Sequence, residues 1–172
     1  MKFYLILLLS LFLSVFSWAT MIGDTITINR YYPSIGVHYV SPISTVVQAG
    51  TADSILSQSH ILFNFEANHI YMDFQNSTGY AGSSSTFDGY RLTGFSNTIT
   101  NVTLQELTQM GIYALGFGAN YIDINLTGSC NSNSFIALEV QFQTAVPECS
   151  SFVLLILAFL ATKGLRNNRR KI

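Results

Sequence analysis

Charged residues are scarce in this chain of 172 residues: they make up only 10% of it, while 49% is hydrophobic. An average soluble domain is roughly 25% charged, so part of this sequence is not ordinary globular surface. Basic residues are nearly absent from residues 20–145, where only Arg30 and Arg91 occur. Eight acidic residues in the same region give it a net charge of −6 with histidine neutral. This sign excludes nucleic acid as a partner, because nucleic-acid binding requires a basic surface.

Signatures of catalysis and of metal binding are also missing. The sequence has no Gly-x-Ser-x-Gly elbow, no phosphate loop and no dinucleotide fingerprint, and its carboxylates are too isolated from one another to indicate a glycosidase pair. The three histidines, His38, His60 and His69, lack the i, i+2 or i, i+4 spacing of a compact metal site. We therefore predict a chain that is not an enzyme and that has no metal and no cofactor. A Ca²⁺ ion held by loop oxygens is the open alternative.

The first 19 residues have the organisation of a secretory signal peptide. Lys2 precedes an apolar run over residues 3–15 that only two serines interrupt. Ser17 and Ala19 then place small residues at positions −3 and −1 of a cut after Ala19. A membrane anchor is the alternative, but this apolar core is short for the roughly 20 residues that a span needs. We predict a cleaved signal peptide over residues 1–19.

The C-terminus has a stop-transfer pattern. An apolar stretch at residues 152–162 is followed by a cluster of basic residues: Lys163, Arg166, Arg169, Arg170 and Lys171. We predict that this stretch forms a transmembrane helix, extended by the two preceding serines and by snorkelling of Lys163. Because cytoplasmic flanks carry an excess of Lys and Arg, the basic tail is expected in the cytoplasm and residues 20–145 outside.

A short motif precedes the apolar stretch, in the order Val146, Pro147, Glu148, Cys149 and Ser150. With the span and the basic end, residues 146–172 resemble the PEP-CTERM sorting signal of bacterial exported proteins, with Cys149 where a second proline is usual. The resemblance implies export, temporary retention in the inner membrane and processing near Pro147 and Glu148 by a membrane exosortase. Stretches of the middle region resemble small PEP-CTERM proteins to which no activity is assigned as a group. An ordinary single-span anchor is the alternative.

Residues 20–145 have the length and patterning of one β domain. Period-two alternation recurs in short runs bounded by Gly, Asn, Ser and Asp. The runs lie at residues 25–28, 37–40, 61–65, 70–74, 122–126 and 135–142. No long amphipathic helix accompanies them. We predict an all-β fold, an antiparallel β-sandwich that is jelly-roll-like or Ig-like, flanked by the signal peptide and the transmembrane helix.

Three segments of this domain carry more local predictions. Residues 61–65 and 70–74 are expected to pair as a hairpin around residues 66–68. Residues 76–86, rich in Gly and Ser, predict a flexible loop. Residues 102–110 predict either a strand with a turn or a short helix.

Two residue types suggest chemistry without a recognisable motif. Cys130, in a predicted turn, is either bridged to Cys149 or a free thiol, and spacing does not choose between them. Many tyrosines lie in the middle region, and a row of them on one sheet face would stack on sugars, although tyrosine also suits a half-buried strand. They are Tyr31, Tyr32, Tyr39, Tyr71, Tyr80, Tyr90, Tyr113 and Tyr121.

Together these patterns predict a non-catalytic exported protein, associated with the cell surface or the extracellular matrix and held by a C-terminal anchor. Its expected partners are signal peptidase, a membrane exosortase, the membrane itself and polysaccharide. The alternatives are a carbohydrate-binding β-sandwich module and a hydrolase that acts on exopolysaccharide.

Overall fold

Runs of alternating residues form strands throughout the computed structural model, which describes residues 19–49, 55–57 and 61–143. These residues contain eleven strands and no helix. The strands are β1 (Thr25–Tyr31), β2 (Ile43–Val46), β3 (Ile55–Ser57), β4 (Ile61–Phe65), β5 (His69–Phe74), β6 (Thr78–Ala81), β7 (Gly89–Thr93), β8 (Ile99–Thr108), β9 (Gly111–Gly118), β10 (Tyr121–Cys130) and β11 (Phe135–Phe142). The predicted all-β fold is confirmed for this part of the chain.

The strands form two antiparallel sheets in a β-sandwich-like arrangement. One sheet has the order β2-β1-β7-β10-β6, with β9 paired to the other edge of β10. The second has the order β3-β4-β5-β11-β8. The ten-residue strand β10 is long enough to pair first with β7, from Tyr121 to Asn125, and then with β6, from Thr127 to Cys130. This shared partner places β6 beyond the end of β7.

The inner faces of the two sheets form one hydrophobic core. On β4 and β5 every second side chain is buried and those between are partly exposed. Phe63 of one sheet meets Tyr90 of the other edge to face, with ring centroids 5.3 Å apart. Burying each large apolar side chain contributes about 1.5–3 kcal/mol relative to exposure. The two-residue period therefore directs one face of each sheet towards the other.

The structure confirms two of the local predictions. The hairpin forms as expected: β4 pairs with β5, and the Glu66 amide donates to the His69 carbonyl over 2.9 Å. Of the two possibilities for residues 102–110, the strand is correct, because β8 pairs along its length with β11.

Three local predictions are wrong. The loop expected at residues 76–86 contains β6, which pairs with β10 through its backbone although only Tyr80 among its side chains is buried. Cys130 lies at the end of β10 rather than in a turn. The strand expected at residues 37–40 is reduced to a single bridge between Tyr31 and His38.

Several predictions concern residues outside the described ranges. Residues 1–18 and 144–172 contain the expected signal peptide, sorting motif, transmembrane stretch and basic tail, which all stay predictions. Within the described ranges, no helix has the length and hydrophobicity to cross a membrane. Residues Ala19–Gln143 form one compact unit.

Candidate functional site

An ion pair removed from solvent joins Arg30 on β1 to Asp88, the residue before β7. The two side chains are 9% and 6% exposed, and Nη2 of Arg30 faces Oδ1 of Asp88. Nη1 of Arg30 donates to the carbonyls of Tyr31 and Gly89, over 3.0 and 3.2 Å. Because an unpaired buried charge is very unfavourable, these partners are what allow Arg30 to lie inside the protein.

Three tyrosine rings surround the Arg30 guanidinium. Its central carbon lies 4.7 Å from the ring centroid of Tyr80, 5.2 Å from that of Tyr90 and 5.5 Å from that of Tyr39. Distances below about 6 Å give an attraction between a cation and an aromatic ring. The rings come from β6, from β7 and from the segment that follows β1. Arg30 therefore contacts side chains from three separate segments of the chain.

Backbone and amide groups hold Asp88 from the other side. Its Oδ2 accepts a hydrogen bond from the Ala81 amide over 2.7 Å, and its own amide donates to Oδ1 of Asn125 over 2.9 Å. Asn125, on β10, also donates from Nδ2 to the carbonyls of Ser83 and Thr86. These contacts fix the carboxylate against three strands and against the segment that joins β6 to β7.

A cavity of about 330 Å³ opens over this cluster, and we call it the tyrosine cavity. Arg30, Asp88, Tyr80 and Tyr90 are the buried part of its lining. Its exposed part includes Tyr32 and Tyr39, which are 41% and 62% exposed and meet edge to face at 6.3 Å. The volume lies at the lower end of the roughly 300–1,000 Å³ typical of small-molecule pockets.

Burial determines the protonation of the two inner tyrosines. Loss of hydration raises the pKa of Tyr80 far above its ordinary value, with a further rise from the nearby Tyr90 hydroxyl 3.4 Å away. Burial also raises the pKa of Tyr90, against the lowering effect of the Arg30 charge. Both side chains therefore present neutral hydroxyl groups near the cavity at neutral pH.

A second arginine–aspartate pair lies on the neighbouring strands but has a different setting. Arg91 on β7 and Asp123 on β10 form two parallel hydrogen bonds of 2.6 Å, and Arg91 also covers the ring of Tyr121 at 4.4 Å. The hydrogen bonds to Asp123 raise the pKa of Arg91. The side chains of Arg91 and Asp123 are 25% and 16% exposed, so this pair keeps part of its hydration.

The tyrosines, for which the sequence offered either a row on one sheet face or ordinary half-buried strand positions, are divided between several places. Tyr39, Tyr80 and Tyr90 surround Arg30, and Tyr32 joins them at the cavity. Tyr71 belongs to the other sheet, where its ring packs between the rings of two neighbours, His69 and Phe135, at 6.0 Å from each. Four of the tyrosines therefore lie together as a cluster at the cavity rather than as a row.

The two histidines that the structure describes have different ring partners. His38 packs against the Tyr31 ring at 4.7 Å, His69 against Tyr71, and His60 lies outside the described ranges. In the part of the chain that the structure describes, no three His, Cys, Asp or Glu residues are grouped as metal ligands.

Cys130 is buried, at 3% exposure. Its thiol donates to the Thr78 carbonyl over 3.5 Å, and burial raises its pKa. Cys149, its expected bridge partner, lies outside the described ranges together with the other residues of the sorting motif. The choice between a bridge and a free thiol therefore stays open.

Sequence reasoning did not single out Arg30, Asp88 or Asn125 as site residues. The one available signal was that Arg30 is one of only two basic residues in residues 20–145. Its partner Asp88 is 58 positions away, so no local spacing could have connected them.

The arrangement supplies ring faces and hydrogen-bonding groups around a neutralised charge. The Asp88 carboxylate is engaged by Arg30 and by the Ala81 amide, while Tyr32 and Tyr39 keep exposed surface. These features suit the binding of a polar, uncharged molecule that also has an apolar face. No protein-family model, curated protein or solved structure matches this chain.

Proposed function

We propose that this chain is a non-catalytic exported protein, displayed on the cell surface or within the extracellular matrix. A signal peptide over residues 1–19 directs export and is removed by signal peptidase. A transmembrane helix at residues 152–162 then holds the precursor in the inner membrane, with the β domain outside. An exosortase cleaves near Pro147 and Glu148 and releases the domain to the surface. The domain itself is a jelly-roll-like or Ig-like sandwich between these two segments.

The observation that carries this proposal is the segregation of charge. Five of the eight basic residues lie at positions 163–171, directly after an apolar stretch, and only two lie in residues 20–145. A basic end after an apolar stretch is typical of a stop-transfer segment whose tail stays in the cytoplasm. The acidic, strand-rich region before it is the part expected outside.

Carbohydrate binding is the second candidate function, and the tyrosine cavity favours it. Exposed Tyr39 and Tyr32 offer ring faces to the apolar side of a sugar, while the hydroxyl of Tyr80 and the Arg30–Asp88 pair lie below. A hydrolase would need two carboxylates on either side of one glycosidic bond. Among the residues that the structure describes, Asp88 is the one carboxylate that lines the cavity, and it is paired with Arg30, which argues for binding over hydrolysis.

Intact mass measurement tests the export proposal. The protein is recovered from the membrane and extracellular fractions of its native host, with and without the exosortase. We expect a mass that ends near Pro147 to Cys149 in the extracellular fraction, and only when the enzyme is present. A complete C-terminus in every fraction would overturn the sorting step and leave a plain membrane anchor.

A further inference from the structure

The outer face of the second sheet carries a strip of three aromatic rings. Met72 of β5 and Ile136 of β11 pair across the strands and are buried, so their neighbours Tyr71 and Phe135 point away from the core. The rings of His69 and Tyr71 are inclined by 10° with centroids 6.0 Å apart, and those of Tyr71 and Phe135 by 23° at the same distance. The three rings are therefore nearly parallel and extend from β5 to β11. We call them the ring strip.

Carboxylates flank the ring strip. Glu139 of β11 pairs with His69 across the two strands, on the same face of the sheet. Asp73 of β5 pairs with Phe135 in the same way. The Tyr71 hydroxyl donates to Oε2 of Glu66 over 3.5 Å. With the acidic residue of β8, the carboxylates of this sheet and its first hairpin turn are Glu66, Asp73, Glu106 and Glu139.

No cation of the described ranges neutralises these carboxylates. Gln75 donates to Asp73 over 3.0 Å, and Gln105 donates to Glu139 over 2.7 Å, so both of these partners are neutral amides. The described ranges contain no lysine, and both of their arginines are paired with aspartates in or beside the first sheet. The face therefore keeps its negative charge and attracts a cationic partner, to which aromatic rings are also attracted.

We propose that the outer face of the second sheet binds a cationic amino-polysaccharide, a polymer of glucosamine units whose amino groups are free and protonated. The apolar faces of its sugar rings pack against the ring strip, and its ammonium groups pair with the flanking carboxylates. This inference goes beyond the functions proposed above, because it assigns a ligand to a surface outside the tyrosine cavity and requires neither export nor binding in that cavity.

A glycan fits this face better than a basic peptide. β5 pairs with β4 and β11, and β11 pairs with β5 and β8, so the backbone groups beneath the ring strip are already hydrogen-bonded. An extended peptide gains much of its affinity from backbone hydrogen bonds to a free sheet edge, and this face offers none. A sugar ring needs only an apolar surface for one of its faces, while its hydroxyl groups stay in water.

Calorimetric titration of the full chain tests the inference, in a nonionic detergent that has no sugar headgroup and at a mildly acidic pH that protonates glucosamine. The probes are β-1,4-linked glucosamine oligosaccharides of two to six units, the same oligosaccharides fully N-acetylated, and oligolysines of the same lengths. We expect the glucosamine series to bind with an affinity that rises with length, because each unit adds a ring and a charge. N-acetylation keeps the ring and removes the charge, so it should weaken binding about tenfold or more. Added salt should also weaken binding of the glucosamine series.

Substitutions locate the site on the second sheet. Tyr71→Ala removes the central ring and is expected to weaken binding of the glucosamine tetramer about fivefold or more. The double variant Asp73→Asn/Glu139→Gln removes two charges with little change in side-chain shape and should weaken it about threefold or more. Tyr113→Ala is the matched control, because Tyr113 lies on β9 of the first sheet and is 47% exposed. Its affinity should equal that of the unaltered chain, and circular dichroism verifies that all three variants fold.

Four results would overturn the inference: no binding of the glucosamine series, equal binding of the N-acetylated series, tighter binding of oligolysine at equal charge, or an equal loss in Tyr113→Ala. A loss in Tyr39→Ala in place of Tyr71→Ala would overturn it as well, because the sugar would then lie in the tyrosine cavity. Failure of glucosamine binding leaves the export proposal and the tyrosine cavity unaffected, since neither depends on this face.

Discussion

Arg30 and Asp88 form an ion pair whose side chains retain only 9% and 6% of their exposure, while the Arg91–Asp123 pair retains 25% and 16%. Both pairs join an arginine to an aspartate, and Arg30, Arg91 and Asp123 lie in strands of the same sheet while Asp88 directly precedes one. The Arg30–Asp88 pair has lost nearly all of its hydration, and only hydrogen bonds and charge interactions with protein groups offset that cost. The second is partly compensated by water, so the two pairs form a matched comparison.

Asp88→Ala is expected to lower the free energy of unfolding by about 3–5 kcal/mol, because it leaves the Arg30 charge buried and unpaired. Asp123→Ala should cost only about 1 kcal/mol, since water solvates Arg91 in its place. Urea unfolding monitored by circular dichroism measures both. The double variant Arg30→Met/Asp88→Leu removes both buried charges and should recover most of the loss. Equal losses in the two single aspartate variants would contradict this account.

Alkaline pH is expected to destabilise the folded chain. Burial raises the pKa of Tyr80 and of Tyr90 above their ordinary 10.0, so the folded state keeps protons that the unfolded chain releases near that pH. Their contribution to stability is complete below pH 10.0 and is lost as the pH rises above it, by up to about 1.4 kcal/mol per pH unit for each group. Thermal unfolding between pH 8 and 11 measures the slope.

Tyr80→Phe removes one of the two buried phenol groups that resist ionisation. It should therefore make the loss of stability per pH unit at alkaline pH smaller. Tyr32→Phe, which removes an exposed hydroxyl from the edge of the same cavity, is the matched control. An unchanged slope in Tyr80→Phe would show that other groups cause the alkaline loss.

Gly89→Ala is expected to destabilise the protein by about 3 kcal/mol or to prevent folding, as overpacking of a close backbone contact does. An added Cβ at Gly89 would collide with the Ile124 carbonyl of β10, a backbone atom that cannot move without disturbing the sheet. At Gly79 a Cβ would meet nothing within 4 Å, so Gly79→Ala should stay within about 1 kcal/mol of the unaltered chain. Thermal unfolding compares them, and similar losses would contradict the close approach at Gly89.

The strands that the sequence predicts well are those that carry a complete apolar face. On β11 the residues from Phe135 to Phe142 alternate or are continuously apolar, and the predicted bounds are those observed. β6 was missed because Tyr80 is its one buried side chain, and its strand character comes from pairing with residues 127–130 of β10. That pairing is a long-range property, and local composition favoured a loop instead.

The candidate site shows the same division between local and long-range information. The sequence shows that tyrosines are numerous, and their ring and hydroxyl suit a partly buried position, but it does not show which of them come together. The cluster itself depends on the register that sets Arg30 opposite Tyr90 and on β10, which places Asn125 behind Asp88. Neither relationship has a period or a spacing that can be recognised in the sequence.

Deletion of residues 150–172 is expected to release the β domain from the membrane into the periplasm or the medium, because it removes the whole stop-transfer pattern. Deletion of residues 164–172 alone keeps the apolar stretch and is the control, which should stay in the membrane fraction. Immunoblots of fractionated cells measure the distribution. A membrane-bound product of the longer deletion would show that another part of the chain anchors it.

Cys130 should be alkylated at least about tenfold more slowly in the folded chain than in denaturant, because the thiolate is the reactive form and burial suppresses it. The side chain is 3% exposed, and its pKa is raised by that burial. Mass spectrometry after timed alkylation without a reducing agent measures the rate. Cys149→Ser, in which Cys130 is the one remaining cysteine, serves as the reference. If the unaltered chain shows no reactive thiol in denaturant while Cys149→Ser shows one, then Cys130 and Cys149 are bridged, and the protection reflects the bond rather than burial.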